Sequence, residues 1–257
     1  MNDAAVWVQR FAHRASPRLR LFCFPYAGGA AQAFRTWSKG LPEHIDVCAI
    51  QPPGRWQRLH EPAFNRVPPM VEALASALRP MLDLPFAFYG HSLGSIVAFE
   101  LCRLLRVAHG RAPVHLFVAS RQPPQSPLVK SRIPTTQLSD ENFIDLVDRL
   151  YGAIPPKVRA QRELMEIMLP ALRADLEAWE TYTYEPDAPF DFPISAFSGR
   201  EDRMVKEALL PGWSEHTTRH FKLRMFDGGH LFFVDDPQPL LSEIQESLPA
   251  HVVSRHA

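Results

Sequence analysis

Cysteine is scarce in this chain: there are three among 257 residues, at Cys23, Cys48 and Cys102. An odd number with no close pair excludes a disulfide framework and a compact thiolate metal site, and their apolar neighbours suit buried thiols in a reducing compartment. A charge surplus is missing as well. Lys and Arg total 28, Asp and Glu also total 28, and without a basic run or a spaced set of aromatics no nucleic-acid groove is indicated. No apolar stretch of bilayer length is uninterrupted: the most hydrophobic segment, 85–105, contains His91, Glu100 and Arg103, and reads as strand, turn and helix rather than a membrane span. Residues 1–17 carry no signal-like apolar segment, so the expected location is cytoplasmic. No dinucleotide fingerprint or phosphate loop opens the early strands, and the histidines form no zinc motif. Neither a cofactor nor a metal is expected.

What is present is an ordinary globular composition, 46% hydrophobic and 22% charged, in a chain long enough for one sizeable core. Apolar strands are expected at 19–24, 45–50, 86–89, 114–119, 192–197 and 221–226, punctuated by Pro and Gly. Helical spacing runs over 31–39, 69–82 and 95–105, with a last helix over 238–248. Strands that are apolar on both faces and alternate with helices need cover on both sides, hence an α/β fold with a mostly parallel central sheet flanked by helices. The rhythm changes over 123–189. There Ser139 is placed to cap a helix whose first turn holds Asp140 and Glu141, and a second helical stretch carries Leu172, Leu176 and Trp179, with Pro170 as a kink or break. The reading is a core built from 1–122 and 190–257, with a helical lid inserted at 123–189.

Gly90-His91-Ser92-Leu93-Gly94 follows an apolar strand and precedes a helix, the setting of a nucleophile elbow. Glycines at 90 and 94 let the chain turn where larger side chains would collide, leaving Ser92 at the strand end with its oxygen near a helix N-terminus. A serine hydroxyl needs a base to take its proton as it attacks. Gly228-Gly229-His230, after the strand 221–226, supplies one. Asp202, in Gly199-Arg200-Glu201-Asp202-Arg203, is placed to orient the imidazole, with Glu201, Asp175, Asp227 and Asp235 as the other carboxylates to weigh. The order Ser92, Asp202, His230 is that of the α/β-hydrolase fold. The backbone amides of Leu93 and Ala27 are the expected oxyanion donors, Gly28 being an alternative to Ala27. His91 reads as a flank of the elbow rather than the base.

Several further segments extend the pattern along nearly the whole chain: Phe24-Pro25-Tyr26-Ala27-Gly28-Gly29, Pro53-Gly54-Arg55 with Arg58 and Glu61-Pro62, Leu172-Arg173-Ala174-Asp175, and Gly228-Gly229-His230-Leu231-Phe232-Phe233. With the serine pentapeptide and Gly199-Arg200-Glu201-Asp202, they make a sequence that resembles the type II thioesterases, the stand-alone editing enzymes of nonribosomal peptide and polyketide synthases. The resemblance implies an α/β-hydrolase core, the triad Ser92, Asp202 and His230, and an oxyanion site at Ala27 and Leu93. It also implies a substrate: an acyl thioester on the phosphopantetheine arm of an acyl or peptidyl carrier protein or domain. Phosphopantetheine would then arrive with the substrate and not be a held cofactor. Trp56-Gln57 departs from the family, in which an acidic residue is more familiar in that interval, and leaves Arg55 and Arg58 open between a carrier-facing and a loop-bracing role. A small-molecule carboxylesterase, an acyltransferase and a noncatalytic interaction protein of the same fold are the alternatives.

Overall fold

Alternating strands and helices build one sheet whose two faces carry separate apolar layers. The computed structural model describes residues 3–126, 134–151, 159 and 161–248. Its strands are β1 (Val8–Gln9), β2 (Leu19–Phe24), β3 (Ile45–Ile50), β4 (Phe86–His91), β5 (His115–Ala119), β6 (Ile194–Gly199) and β7 (Phe221–Phe226), and its α-helices are α1 (Asp3–Trp7), α2 (Trp37–Gly40), α3 (Val67–Leu78), α4 (Leu93–His109), α5 (Asp140–Tyr151), α6 (Arg162–Glu180) and α7 (Gln238–Ser247). The sheet order is β1-β3-β2-β4-β5-β6-β7. Every neighbouring pair is parallel except β1 with β3.

The period of two along β2 divides the core. Phe22 and Phe24 face the layer filled by α3 and α4, while Leu19, Leu21 and Cys23 face the layer filled by Phe34, Trp37, Leu240, Leu241 and Ile244. Strands β3, β4, β5 and β6 are buried along their whole length, as interior strands of a covered parallel sheet must be. Edge strand β7 is only partly buried. Its Lys222 and Arg224 both pair with Glu243 of α7, which is 2% exposed; charge on an edge strand also discourages pairing with another chain.

The helix expected over 31–39 is split into a 3-10 turn, Ala31–Phe34, and α2. Between them Phe34 and Trp37 pack edge to face with ring centroids 4.9 Å apart, so aromatic packing overrides the continuous helix. The helix expected over 69–82 starts earlier, at Val67, and stops at Leu78. Pro68 and Pro69 fall in its first turn, where a missing N–H is harmless, and Pro80 lies in the 3-10 turn that ends it. Short β1 and the long 3-10 segment Glu207–His216 were not foreseen. Trp213 of that segment donates from its indole N–H to the Arg121 carbonyl at 2.8 Å.

Helices α5 and α6 are inserted between β5 and β6. The Asn142 N–H donates to Ser139 Oγ at 3.3 Å, as an N-cap does, and Pro170 does not interrupt α6. Of the stretch read as a lid, 127–133, 152–158 and 160 lie outside the described residues. No helix among the described residues is long and apolar enough to cross a membrane.

Two buried histidines away from the candidate active site contribute to an acid limit on this fold. His115 and His216 are 2% and 5% exposed, and burial pushes His115 down to about 3 and His216 down to about 4 from an ordinary 6.5. Both are therefore neutral when folded and bind protons more readily when unfolded, so stability is full above 6.5 and is lost as the pH falls toward the folded values. At about pH 5 each should cost about 2 kcal/mol. Thermal unfolding should show Tm falling with acid below neutrality, and His115→Gln should flatten that dependence; an unaltered slope in the variant would show that His115 does not contribute it.

Candidate active site

Ser92 sits between β4 and α4 with φ 55° and ψ −113°, a backbone conformation unfavourable for any side chain beyond glycine. The surroundings hold it there. A Cβ on Gly94 would run into the carbonyl oxygens of Phe24 and Pro25, and one on Gly90 would run into the Gly94 carbonyl and the Ser95 Cα. Backbone therefore packs against backbone on both sides of the turn. The Ser92 N–H donates to the Ala119 carbonyl at 2.8 Å. Ser95 Oγ accepts from the Ala119 N–H at 3.1 Å and donates to the Gly90 carbonyl at 2.8 Å. One hydroxyl thus ties β4, β5 and α4 together below the serine.

His230 follows β7, and its Nδ1–H donates to Asp202 Oδ2 at 2.9 Å. The other Asp202 oxygen accepts from the Met204 N–H at 2.9 Å. Burial works to raise the Asp202 pKa, but the His230 hydrogen bond and charge and the Met204 amide outweigh it and hold the carboxyl below its usual range. The other carboxylates stand elsewhere: Asp175 pairs with Arg55, Asp227 lies toward Arg200 at 3.7 Å, and Glu201 and Asp235 are exposed.

The main-chain carbonyl of His230 accepts two side-chain hydrogen bonds, from Ser120 Oγ at 2.8 Å and from His91 Nε2 at 2.7 Å. A carbonyl only accepts, so His91 carries its proton on Nε2, and its Nδ1 accepts from the Tyr89 hydroxyl at 3.1 Å. Burial, reinforced by the nearby His230 charge, pushes His91 down to about 3, which keeps that tautomer neutral. His91 flanks the elbow, as expected, but it and Ser120 also anchor His230. Ser120 carried no signal in the sequence, because its partner is a backbone atom 110 residues away; Tyr89 read only as part of an apolar strand, although its partner is the His91 ring two residues on. Among the described residues no hydrogen bond joins Ser92 Oγ to the His230 ring; the two are brought together through these shared strand ends.

Leu93 opens α4 and Ala27 lies in the loop after β2, and neither amide donates a hydrogen bond within the described chain. The Gly28 amide is already taken, donating to Asp175 Oδ2 at 2.7 Å. Over this group lies an apolar cluster of α5 and α6, comprising Phe143, Val147, Met165, Leu169, Leu172 and Leu176, with Ala27 and Tyr151 packed against it. The Tyr151 ring is 5.1 Å from the His230 ring. Beside it the Arg121 guanidinium rests 3.2 Å above the Trp179 ring, its Nε enclosed without a hydrogen-bond partner among the described residues. Burial lowers the Arg121 pKa to about 9, so it remains cationic at neutrality.

Residues 19–248 match the family model described as the thioesterase domain. The chain belongs to the thioesterase family. It is 40% identical to the gramicidin S biosynthesis protein GrsT of Aneurinibacillus migulanus over 235 residues, 91% of this chain and 91% of that protein. It is 34% identical to the thioesterase PikA5 of Streptomyces venezuelae, over 96% of this chain and 86% of that one. Among solved structures it superposes on the type II thioesterase BorB from the borrelidin biosynthetic cluster with a TM-score of 0.84 and 34% identity, covering 95% of this chain and 98% of that one.

In this thioesterase the two arginines left open by the sequence are both inside. Arg55 is 7% exposed and pairs through both terminal nitrogens with Asp175, at 2.5 and 2.9 Å. Arg58, also 7% exposed, binds both Glu61 oxygens and stacks 4.2 Å over Trp7. Their enclosure favours the loop-bracing role over a carrier-facing one. The elbow yields a prediction of its own. Gly94→Ala should lower stability by more than about 3 kcal/mol, because the added carbon has only backbone to displace. Denaturant unfolding checks it, and a midpoint equal to that of the native chain would contradict the close approach.

Proposed function

We propose that this thioesterase clears stalled or incorrect acyl groups from phosphopantetheine thioesters on carrier proteins or carrier domains of a nonribosomal peptide or polyketide synthase, working in the cytoplasm. Membership of the thioesterase family supports the bond cleaved. The roles of GrsT in gramicidin S biosynthesis and of BorB as a type II thioesterase of a biosynthetic cluster support the setting. Three free, buried cysteines suit a reducing compartment.

In the proposed mechanism Ser92 attacks the thioester carbonyl while His230 Nε2 removes the hydroxyl proton. Asp202 keeps the opposite ring nitrogen protonated and stabilises the imidazolium as it forms. The Leu93 and Ala27 amides receive the tetrahedral oxygen. Collapse expels the phosphopantetheine thiol, which takes its proton from His230, and leaves acyl-Ser92. His230 then deprotonates a water molecule that attacks the ester, the same amides serve again, and the free carboxylic acid and serine are released. The observation that carries this reading is the Asp202–His230 hydrogen bond, anchored through His91 and Ser120 to the two strand ends that also hold Ser92 in its strained turn.

We further assign 123–189 as a lid inserted in a core of 1–122 and 190–257. The apolar cluster between Ala27 and Tyr151 offers an acyl chain a dry path and keeps stray water from the acyl-enzyme. Mass spectrometry during incubation with acyl-carrier thioesters should detect acyl-Ser92 and free acid. Ser92→Ala should remain folded and lose the adduct, and His230→Ala should slow turnover by at least ~100-fold. Rapid hydrolysis of simple oxygen esters with no carrier turnover would instead identify a small-molecule carboxylesterase, and capture of the acyl group by an alcohol or amine an acyltransferase.

A further inference from the structure

The segments Pro53-Gly54-Arg55 and Leu172-Arg173-Ala174-Asp175 stand out in the sequence, but the proton transfers above do not use them. In the fold they meet at the loop that carries the Ala27 amide. Asp175 lies on α6 and is 2% exposed. Its Oδ2 accepts both the Gly28 N–H at 2.7 Å and an Arg55 terminal nitrogen at 2.5 Å, and its Oδ1 accepts the other at 2.9 Å. The same Arg55 nitrogen that reaches Oδ2 also donates to the Gly29 carbonyl at 3.0 Å. Arg55 is fixed in turn: its Nε donates to the Pro53 carbonyl at 3.2 Å, and its own carbonyl accepts from the Gln51 amide at 3.1 Å.

This cluster grips the 26–29 loop at two consecutive residues. Gly28 has φ 75°, and a Cβ there would approach Leu172 Cδ1 of the same helix to 2.9 Å, so lid and loop are in contact through apolar atoms as well. The Gly28 N–H points toward α6 and is spent on a carboxylate. The preceding amide, Ala27, is left without an acceptor among the described residues. Turning one amide of a tight loop toward a fixed anion sets the direction of its neighbour, and an oxyanion donor contributes only when it is aimed at the place where charge develops.

We propose that Asp175 and Arg55 are positioning residues for the oxyanion site. They hold the loop at the curvature that presents the Ala27 amide, and they make that curvature depend on α6 being seated, so the closed lid and a complete oxyanion site are one state of the molecule. The inference rests on the assignment of Ala27 and Ser92 under the proposed function.

Removing Asp175 alone would leave a buried guanidinium unpaired and could unfold the chain, so the test compares two double variants that both lack the ion pair. Arg55→Met with Asp175→Asn keeps an oxygen able to accept from Gly28; Arg55→Met with Asp175→Leu does not. The readouts are kcat and KM for an acyl thioester, and the infrared carbonyl band of acyl-Ser92 formed from an isotope-labelled acyl donor. The Leu-containing variant is expected to lose ~10- to 100-fold in kcat with KM changed by less than about threefold. Its acyl carbonyl band should move toward that of a free ester, while the Asn-containing variant retains more of both. Equal kcat and identical bands in the two folded variants would overturn the proposal. The native chain serves as the separate control: if it never acylates at Ser92, the nucleophile assignment has failed, whereas acylation without carrier turnover rejects only the substrate assignment.

Discussion

Main chain meets main chain where β4 turns into α4, and the site is arranged around that contact. Gly94 lies against the Phe24 and Pro25 carbonyls and Gly90 against the start of the helix, so α4 is seated on the sheet at the shortest distance a polypeptide permits. Ser92 is pushed into its unusual turn as a result and emerges at the carboxyl ends of the parallel strands. Open α/β sheets bind their ligands along that same edge. The strain is local, and the covering of both sheet faces by α3, α4, α2 and α7 over-determines it.

A second arrangement follows from the first. His230 arrives from the far side of the sheet, after β7, yet its carbonyl is held by His91 and Ser120, the last residue of β4 and the residue just beyond β5. Neutral His91 matters here: a charged imidazolium in that enclosed position would oppose the positive charge that the proposed proton transfer places on the His230 ring. Burial that suppresses one histidine's charge thus leaves room for its neighbour's.

Much of this was legible beforehand because the informative residues are local in sequence. The pentapeptide around Ser92, the strand before it and the helix after it are contiguous, and apolar runs bounded by Pro and Gly delimit β2, β3, β4 and β5 to within a few residues. The choice of Asp202 among nearby carboxylates followed from its place after β6, and the structure brings that one to His230. The anchoring groups were not legible. Ser120 and Arg121 act on partners far along the chain, and nothing in their own neighbourhoods distinguishes them from ordinary strand-end residues. Arg55 was readable as important but not for what, since its partner Asp175 lies 120 residues away and a motif does not state which motif it touches. The broken helix at 31–40 belongs to the same class, decided by where Phe34 and Trp37 find aromatic neighbours.

Ser120 also has a left-handed backbone, φ 49°, one strand over from Ser92 at 55°. Glycine would relax the main chain at either position, yet each hydroxyl has a task that glycine lacks, one the proposed attack on the thioester and one the hydrogen bond to the His230 carbonyl. Adjacent strand ends therefore carry a paired conformational debt. Selection for thermal robustness alone would tend to erase it, and a stabilised descendant that had glycine at 120 would gain a calmer loop and a less well-anchored imidazole.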